Sequence, residues 1–316
     1  MEDKAVLEVS GLRYAYSRRL ALFDVSFSVR ERSIHGFVGP NGAGKTTTLK
    51  ILATLLRPQG GTVKVMGEDA TADYRSIRRR VGFMPEHFSM YRQMTVFEYL
   101  DFFAAAYGLR LKERDKVVSE VLALTDMAGR RDEPIKSLSR GMQQRVSLAR
   151  VLVHDPAVLL LDEPASGLDP RGRIELMEIL RELRRMGKTV FISSHILADL
   201  TALCDSITVI DGGVTRYSGP IGDLLCARGD VAEYQLTLHE EHPPTVEALT
   251  ALAGVTGVRK LDDGPDYVVD FRRDALTVNQ LLRTVLESGA EVVGFKENLK
   301  DLGEAFMGLT RPGVGE

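Results

Sequence analysis

The chain has 316 residues, of which 44% are apolar, and this is enough apolar sequence for a sizeable core and for more than one domain. Its net charge of -3 at pH 7 gives no electrostatic footprint for nucleic acid, so no nucleic-acid partner is expected. The N-terminus shows no signal-peptide pattern, no apolar run approaches the roughly 20 residues of a membrane-spanning helix, and the two cysteines, Cys204 and Cys226, favour a reducing compartment over a disulfide framework.

The first predicted elements are strands, and they lead into a glycine-rich loop. An apolar run at residues 34–38 predicts a strand, and the pattern after the loop predicts a helix. Glycines let consecutive backbone N–H groups point at phosphate oxygens, and the helix that follows directs its positive end at them. We expect Lys45 to reach the β- and γ-phosphates of a nucleoside triphosphate, and the Thr46 hydroxyl to ligate Mg²⁺. The complete loop consists of Gly39, Pro40, Asn41, Gly42, Ala43, Gly44, Lys45 and Thr46.

A helical segment follows from residue 95 to about residue 132. Apolar residues share one helix face over residues 96–104 and another over residues 117–124. The sequence therefore predicts helices between the first half of the chain and the next strand.

A pair of acidic residues follows a second buried strand. The continuous apolar run at residues 157–161 predicts a parallel strand, and Asp162 and Glu163 lie at its carboxyl end, where open α/β sheets place their ligand crevice. Two adjacent acids are often only a solvated turn, but a phosphate loop elsewhere in the chain needs a carboxylate for its metal. We expect Asp162 to hold Mg²⁺, directly or through water, and Glu163 to orient and deprotonate the attacking water.

The last part of the chain alternates between strand and helix patterns. After a hairpin around residues 211–213, the predicted order is strand, helix, strand, strand, helix, strand, which matches a split βαβ, ferredoxin-like module. The predicted elements are strands at 234–238, 258–261, 267–271 and 291–295, helices near 246–253 and 278–286, and a terminal helix near 299–309.

The run Leu138-Ser139-Arg140-Gly141-Met142 lies between the phosphate loop and the acid pair, and it resembles the signature loop of the nucleotide-binding subunits of ATP-binding-cassette (ABC) transporters. The resemblance covers about the first 220 residues. It implies that ATP and Mg²⁺ are the cofactors and that ATP is hydrolysed at two composite sites. Ser139 and the backbone of Gly141 from one chain would contact the γ-phosphate held by the other chain.

The same resemblance assigns roles to weaker signals. Tyr16 falls where an aromatic ring stacks on adenine, and we prefer it to the nearby Tyr14 because of its spacing to Val25. Thr47 adds to the nucleotide contacts. His195 follows Ser193-Ser194 at a strand end, where the family has a histidine that contacts the γ-phosphate. Residues 166–169 resemble the loop that communicates across the dimer.

Two departures from the common family pattern bear on turnover. Glu86 stands where the family usually has a glutamine that touches Mg²⁺ and the attacking water; a glutamate is still an oxygen ligand, but it adds a negative charge beside a triphosphate. Arg140 and Met142 replace the usual glycine and glutamine of the signature. From the sequence, Arg140 either adds a cation beside the phosphate contact or points to solvent.

These observations predict an α/β chain with three parts. Residues 1–220 form an ABC-type P-loop ATPase domain with an inserted helical subdomain at about residues 88–150, residues 221–231 form a linker, and residues 232–316 form a small α+β, ferredoxin-like accessory domain. That domain either binds a regulator or braces the dimer.

The expected function is ATP hydrolysis by a subunit that dimerises around ATP, most simply as a homodimer, at the cytoplasmic face of the cell membrane. As a peripheral subunit it would drive export through a separate integral permease. Export is favoured by Glu86, by the signature variant at residues 139–142 and by residues 302–310, which resemble the C-terminal helix of subunits that export drugs, polysaccharides or lipids. The permease would dock beside Glu86, and the candidate positions for that contact are His87, Phe88, Met90 and Tyr91.

Three alternatives remain at this stage. A soluble ABC ATPase that acts on ribosomes or DNA usually fuses two cassettes or carries long coiled coils, and neither pattern is present. An importer subunit regulated through its C-terminal domain also fits, since methionine importers of the family carry a ferredoxin-like tail. A metabolite-sensing regulator would need a small-molecule pocket that the sequence does not locate.

Overall fold

The computed structural model describes residues 4–17, 19–87, 90–225, 231–261, 264–297 and Leu309. The chain divides into two compact units, the first reaching Ile221 and the second starting at Gly222. Among the residues that the structure describes, none of the helices combines the length and the apolar character needed to cross a bilayer.

The first half of the first unit carries the phosphate loop. In chain order its elements are β1 (Ala5–Tyr16), β2 (Arg19–Arg30), β3 (Ile34–Val38), α1 (Lys45–Leu52), β4 (Gly60–Val65), β5 (Glu68–Asp69), α2 (Tyr74–Arg80) and β6 (Val81–Met84). The second half carries the signature and the acid pair. Its elements are α3 (Val96–Ala106), α4 (Leu111–Leu124), α5 (Arg140–Leu152), β7 (Val158–Asp162), α6 (Pro170–Arg185), β8 (Thr189–Ser194), α7 (Leu197–Leu203), β9 (Ser206–Asp211) and β10 (Val214–Pro220). Helix α8 (Ile221–Leu225) begins at the last residue of the first unit and continues into the second.

The strands of the first unit form one curled sheet in the order β5-β4-β1-β2-β10-β9-β3-β8-β7-β6. The β5-β4-β1-β2 part is antiparallel, whereas β9, β3, β8, β7 and β6 run parallel to one another. The two parts meet where Val214 of β10 pairs with Asp24 of β2. The sheet therefore joins an antiparallel region to a mostly parallel region, as expected for the predicted α/β class.

The central parallel strands position the functional loops. Every residue of β3, β7 and β8 is buried, which agrees with the continuous apolar runs in their sequences. Because parallel strands end at the same edge of a sheet, the phosphate loop after β3, the acids at the end of β7 and His195 after β8 all emerge together. The register places Asp162 opposite Ser193 and Val38 opposite Ser194.

The helices predicted from residue 95 lie between β6 and β7. Helix α3 begins at a capping box, in which Thr95 Oγ1 accepts from the Glu98 N–H and Glu98 Oε2 accepts from the Thr95 N–H. Its apolar face, which includes Tyr99, Leu100 and Ala104, is buried. The predicted amphipathic pattern of this segment therefore corresponds to real helix packing.

The second unit has the predicted split βαβ order. Its elements are β11 (Val231–Leu238), α9 (Pro243–Ala251), β12 (Val255–Lys260), β13 (Asp266–Arg272), α10 (Val278–Glu287) and β14 (Val292–Glu297). The sheet order is β12-β13-β11-β14, with every pair antiparallel. Leu249 of α9 and Leu281 and Val285 of α10 share a core with Leu236 and Phe271 of the sheet. This element order and strand order agree with the ferredoxin-like module predicted for the region. The predicted terminal helix lies outside the described residues except for Leu309.

Some boundaries differ from those predicted. Strand β11 starts at Val231 rather than Tyr234, and β12 covers Val255–Lys260 because its pairing with β13 shifts register between Val255 and Gly257. The sequence pattern predicts neither helix α2 nor strand β5. Ile77 is the one buried residue of α2, and β5 has two exposed residues, so neither element produces an apolar pattern in the sequence.

Candidate functional site

The phosphate loop is shaped by close backbone packing. Gly44 adopts φ 109°, and a Cβ at this position would lie 2.4 Å from Leu22 Cδ2 and 3.0 Å from the Ala21 carbonyl oxygen. A side chain is excluded here by both conformation and space. The Ala43 N–H donates to the Pro40 carbonyl at 3.1 Å, which closes the turn ahead of α1.

A cleft of about 500 Å³ opens over this loop. It brings together residues from distant parts of the sequence: the phosphate loop, Glu86 after β6, Glu163 after β7 and His195 after β8. Its walls consist of Ala21, Pro40, Asn41, Gly42, Gly44, Lys45, Thr46, Thr47, Glu86, Glu163 and His195. Gly39 and Ala43 belong to the same loop but lie behind this wall, where the Gly39 carbonyl accepts from Lys45 Nζ at 2.7 Å.

Glu163 is the centre of the polar contacts in the cleft. Its Oε1 lies 3.7 Å from Lys45 Nζ, and its Oε2 lies 2.7 Å from His195 Nδ1 and accepts from the His195 backbone N–H at 3.3 Å. The Lys45 and Glu163 side chains are only 8% and 10% exposed, whereas the His195 side chain is 57% exposed. The carboxylate is therefore held between a buried cation and an accessible imidazole.

The two acids are joined by a serine hydroxyl. Ser193 Oγ donates to Asp162 Oδ1 at 2.7 Å and accepts from the Glu163 backbone N–H at 2.9 Å. Asp162 is 1% exposed, and its Oδ2 has no hydrogen-bond partner among the described residues. A buried carboxylate oxygen without a donor calls for a ligand, and a hard cation such as Mg²⁺, or a water bound to it, would fit this oxygen.

The backbone at Glu163 is unusual, with φ 49° in the left-handed region. This conformation is costly for a residue with a side chain, and such residues concentrate at functional sites. At the end of β7 it turns the Glu163 side chain toward Lys45 and His195, while Asp162 remains in the strand. Adjacent residues thereby point to different parts of the site.

Tyr16 lies at the rim of the cleft rather than in its wall. Its ring is 44% exposed, and its hydroxyl is 3.5 Å from Thr47 Oγ1. Tyr14 packs against the core of the sheet and meets Tyr16 edge-on, at 4.9 Å between ring centroids. Of the two rings that the sequence offers for adenine, Tyr16 is the accessible one.

Glu86 reaches the cleft from the end of β6. Its side chain is 41% exposed and lies 3.9 Å from the ring of His87, which is 85% exposed. Of the predicted docking positions, Tyr91 is exposed and meets Phe102 edge-on, Met90 is half-buried, and Phe88 lies outside the described residues.

The signature residues line a separate cleft of about 530 Å³. Ser139 is the N-cap of α5, and its Oγ accepts from the Met142 N–H at 3.3 Å. Gly141 faces Leu168, where a Cβ would lie 3.4 Å from Leu168 Cδ2. This cleft shares no wall residue with the phosphate-loop cleft, so the structure does not bring Ser139 and Gly141 to the nucleotide site of their own chain.

Arg140 does not simply point to solvent. A Cβ built on Gly167 would lie 2.4 Å from Arg140 Cζ and 2.7 Å from its Nε, so the guanidinium covers the backbone of Gly167. The side chain thus contacts residues 166–169, the loop predicted to communicate across a dimer.

Sequence reasoning missed several residues of these sites. Ala21 lines the first cleft because β2 approaches the phosphate loop, and Ser193 joins the acids because β8 lies beside β7. Gln144 Nε2 donates to the Pro164 carbonyl at 2.6 Å, which connects α5 to the segment after Glu163. The available signal was the hydroxyl of Ser193 at a strand end; no local pattern indicated the other two contacts.

Known proteins resemble this chain in both sequence and structure. A protein-family model described as ABC transporter matches residues 22–166. The chain is 38% identical over 220 residues to Nod factor export ATP-binding protein I of Ralstonia nicotianae, covering 70% of this chain and 68% of that protein. It is 32% identical over 315 residues to daunorubicin resistance ATP-binding protein DrrA3 of Streptomyces coeruleorubidus, covering 98% and 97% of the two chains.

A solved structure gives the same result. CbiO1 of Clostridium perfringens, described as part of the ABC transporter complex CbiONQ, superposes with a TM-score of 0.64 at 29% identity, covering 71% of this chain and 92% of that one. The nucleotide cleft, the signature at the N-terminus of α5 and these similarities agree with one another. The chain therefore belongs to the ABC transporter family, as an ATP-binding subunit that hydrolyses ATP.

Proposed function

We propose that this chain is the ATP-hydrolysing subunit of an ABC exporter and that two copies close around ATP. The observation that carries this proposal is the Glu163 carboxylate, held between Lys45 and His195 in a cleft over the phosphate loop. That arrangement provides a cation for the phosphates, a base for the attacking water and an imidazole for the γ-phosphate.

Binding depends first on the phosphate loop. Gly44, Lys45 and Thr46 at the N-terminus of α1 line the cleft, and a helix N-terminus favours an anion. Lys45 Nζ already lies at the cleft wall, 2.7 Å from the Gly39 carbonyl. A triphosphate offers this ammonium a charged acceptor. Tyr16 at the rim of the cleft would stack on the adenine, and Thr47 in the cleft wall would add to the nucleotide contacts.

The residues at the strand ends fit a Mg²⁺ ion. Thr46 is exposed in the cleft, Glu86 offers a carboxylate, and Asp162 Oδ2 is a buried oxygen without a donor among the described residues. When bound there, the ion would neutralise charge on the β- and γ-phosphates. Glu86 brings the additional negative charge that such an ion balances, in place of the family's usual glutamine.

Hydrolysis itself is assigned to Glu163 and His195. Glu163 accepts a proton from the attacking water through the carboxylate that now contacts His195 at 2.7 Å. His195 donates to the γ-phosphate from the cleft wall, where its ring is exposed and its Nδ1 contacts Glu163. The buried Ser193 hydroxyl keeps Asp162 and Glu163 in fixed relative positions during both steps.

The second cleft supports a composite site. The 13-residue helix α5 presents its N-terminus, with Ser139 and the backbone of Gly141, away from the nucleotide cleft of the same chain. A helix N-terminus favours a phosphate. In a dimer, each signature would complete the site of the other chain, and two identical chains satisfy this arrangement.

The export role is supported by the names of the relatives, which include a Nod factor export protein and a daunorubicin resistance protein. The permease would be a separate integral protein, and the ATPase would be peripheral at the cytoplasmic face of the membrane. The proposed docking surface lies beside Glu86, where the side chains of His87 and Tyr91 are exposed.

The division of labour along the chain is part of the proposal. Residues 1–220 are assigned to ATP binding and hydrolysis, residues 221–231 to a linker, and residues 232–316 to an accessory domain that binds a regulator or braces the dimer. No nucleic-acid partner is proposed, in keeping with the net charge of -3.

The proposal is tested by ATP-dependent assembly. Glu163→Gln, which retains ATP, should form a dimer in size-exclusion chromatography with ATP and Mg²⁺ and remain monomeric with ADP. The same variant carrying Lys45→Ala should stay monomeric with either nucleotide. A Glu163→Gln protein that binds ATP yet stays monomeric at high concentration would contradict the composite site.

Export is tested by isolating the chain from membranes: an integral partner should co-purify with it, and removing that partner should release it from the membrane fraction.

A further inference from the structure

Arg140 makes an unexpected contact between two loops of the second cleft. The guanidinium lies against Gly167, where a Cβ would be 2.4 Å from Cζ and 2.7 Å from both Nε and Nη1. Gly167 has φ 73°, a backbone conformation that favours glycine. The absence of a side chain at residue 167 therefore provides the space that the guanidinium occupies.

The loop that Arg140 covers is also held from its other end. Arg173 Nε donates to the Leu168 carbonyl at 3.2 Å. Asp169 caps helix α6, since its Oδ1 accepts from the Gly172 N–H at 2.9 Å. Residues 166–169 thus lie between an arginine of the signature loop and an arginine of α6, which limits the conformations open to them.

This contact belongs to a continuous surface between α5 and the segment after Glu163. Beside the Arg140 contact with Gly167, Gly141 faces Leu168. One turn along α5, Gln144 donates to the Pro164 carbonyl at 2.6 Å. The first turns of α5, which present Ser139, therefore pack along the segment that comes directly after Glu163 in the same chain.

The helix dipole of α5 disfavours a positive charge at the position of Arg140. Arg140 occupies the first turn of α5, where a cation opposes the helix dipole, and no acidic residue is present in that turn. Planar packing of the guanidinium on a glycine backbone gives the side chain a defined place despite its exposure.

We propose that Arg140 is a positioning residue that couples the signature loop to residues 166–169, so that Ser139 and Gly141 engage the partner's nucleotide only when that loop has the conformation seen here. The inference rests on the proposed dimer. Arg140 acts through the loop and does not itself contact the reacting atoms. Its loss should weaken closure of the dimer without weakening ATP binding to the phosphate loop of the isolated chain.

The first test uses Arg140→Ala in the Glu163→Gln background, with full-length protein. We expect the ATP-dependent dimer to dissociate at roughly tenfold higher protein concentration, within the usual range of coupling between sites. Binding of a fluorescent ATP analogue to the monomer and the thermal midpoint should be unchanged. Arg140→Lys should dimerise more tightly than Arg140→Ala but less tightly than the parent, because the lysine stem still covers Gly167 but lacks the planar guanidinium.

The second test approaches the contact from the loop. Gly167→Ala places a Cβ where the guanidinium lies, so the flexible end of Arg140 must move away. Gly187→Ala is the matched control: Gly187 has a similar φ of 87°, but no atom lies within 4 Å of an added Cβ. We expect Gly167→Ala to weaken ATP-dependent dimerisation as Arg140→Ala does, and Gly187→Ala to leave it unchanged.

The two variants together decide the question. If they remove the same contact, Gly167→Ala should add little to Arg140→Ala, and the double variant should resemble the single ones. Fully additive effects on dimerisation, or an Arg140→Ala dimer as tight as its parent, would overturn the inference. A lowered thermal midpoint with unchanged dimerisation would also overturn it, because it indicates a purely structural role. Failure of the parent Glu163→Gln protein to dimerise would instead refute the proposed function.

Discussion

The two clefts of the ATPase unit are similar in size, about 500 and 530 Å³, but their charged residues are arranged differently. In the phosphate-loop cleft, Lys45 and His195 both contact one carboxylate, Glu163, at the edge of the parallel sheet. In the signature cleft, Arg145 pairs with Asp126 and Glu175, and those contacts tie α5 to neighbouring elements. Charge at the first cleft converges on one buried carboxylate, whereas charge at the second fixes the position of a helix.

This difference indicates that the two clefts have separate tasks. The first contains groups that can bind phosphate, hold an ion and accept a proton. The second offers a capped helix N-terminus and small residues, which suit contact with a phosphate that is held elsewhere. Variants in each cleft should therefore fail in different ways.

The largest effect is expected from Glu163→Gln in the first cleft. Loss of the general base should slow ATP hydrolysis about 100- to 10,000-fold while ATP affinity remains near that of the parent. Steady-state phosphate release and nucleotide binding measure the two quantities. Glu178→Gln, an exposed glutamate on α6, is the control and should retain full turnover. Turnover within a few-fold of the parent in Glu163→Gln would remove that residue from the role of base.

Lys45→Ala should act on binding rather than on chemistry alone. Removing charge-assisted hydrogen bonds to phosphate should weaken ATP binding by about 1.5 to 3 kcal/mol, or roughly 10- to 100-fold in Kd. Calorimetric titration with an ATP analogue provides the measurement. Lys50→Ala lies on the same helix α1 and should bind normally. An unchanged Kd in Lys45→Ala would exclude the phosphate-loop assignment.

Ser139→Ala tests the second cleft. It should lower turnover about tenfold and leave ATP affinity of the isolated chain unchanged, since one hydrogen bond to the partner's phosphate is lost. Ser139 is also the N-cap of α5, so the control must be a variant that loses a helix cap elsewhere in the chain. Thr277→Ala removes the cap of α10 in the second unit and should reduce stability without reducing turnover. Equal turnover in the Ser139→Ala and parent proteins would mean that the signature does not complete a site.

The smallest effect concerns the strand beneath the first cleft. His35 of β3 is 1% exposed and lies 2.8 Å from both Ser206 Oγ and Thr208 Oγ1, and burial lowers its pKa to about 3. Because the unfolded chain binds this proton below pH 6.5 and the folded chain does not, folding free energy is lost as pH falls through that window. Between pH 7 and pH 6 this group alone should reduce stability by about 0.7 kcal/mol.

The comparison for this prediction is His35→Gln, which retains hydrogen bonding but does not titrate. Chemical denaturation at pH 7 and pH 6 should show a smaller loss of stability in the variant than in the parent. Identical pH dependence in the two proteins would mean that His35 takes up its proton in the folded chain.

The sequence predicted the phosphate loop and the acid pair because each is a short contiguous motif at the end of a buried strand. Their meeting at one sheet edge follows from the parallel arrangement of β3, β7 and β8. The Ser193 bridge could not be predicted, because it depends on which strands are neighbours and on their register. The placement of Arg140 was likewise open, since it depends on the conformation of Gly167 and not on any local periodicity.

The hydroxyl of Ser193 has one further consequence. Its single proton is donated in a hydrogen bond to Asp162, and its oxygen accepts a hydrogen bond from the backbone N–H of Glu163. The positions of the two acids are therefore linked through this hydroxyl. A displacement of the Asp162 carboxylate would therefore shift the backbone that orients the Glu163 side chain. In the proposed mechanism, one oxygen atom on a neighbouring strand thus couples ion binding at Asp162 to proton transfer at Glu163.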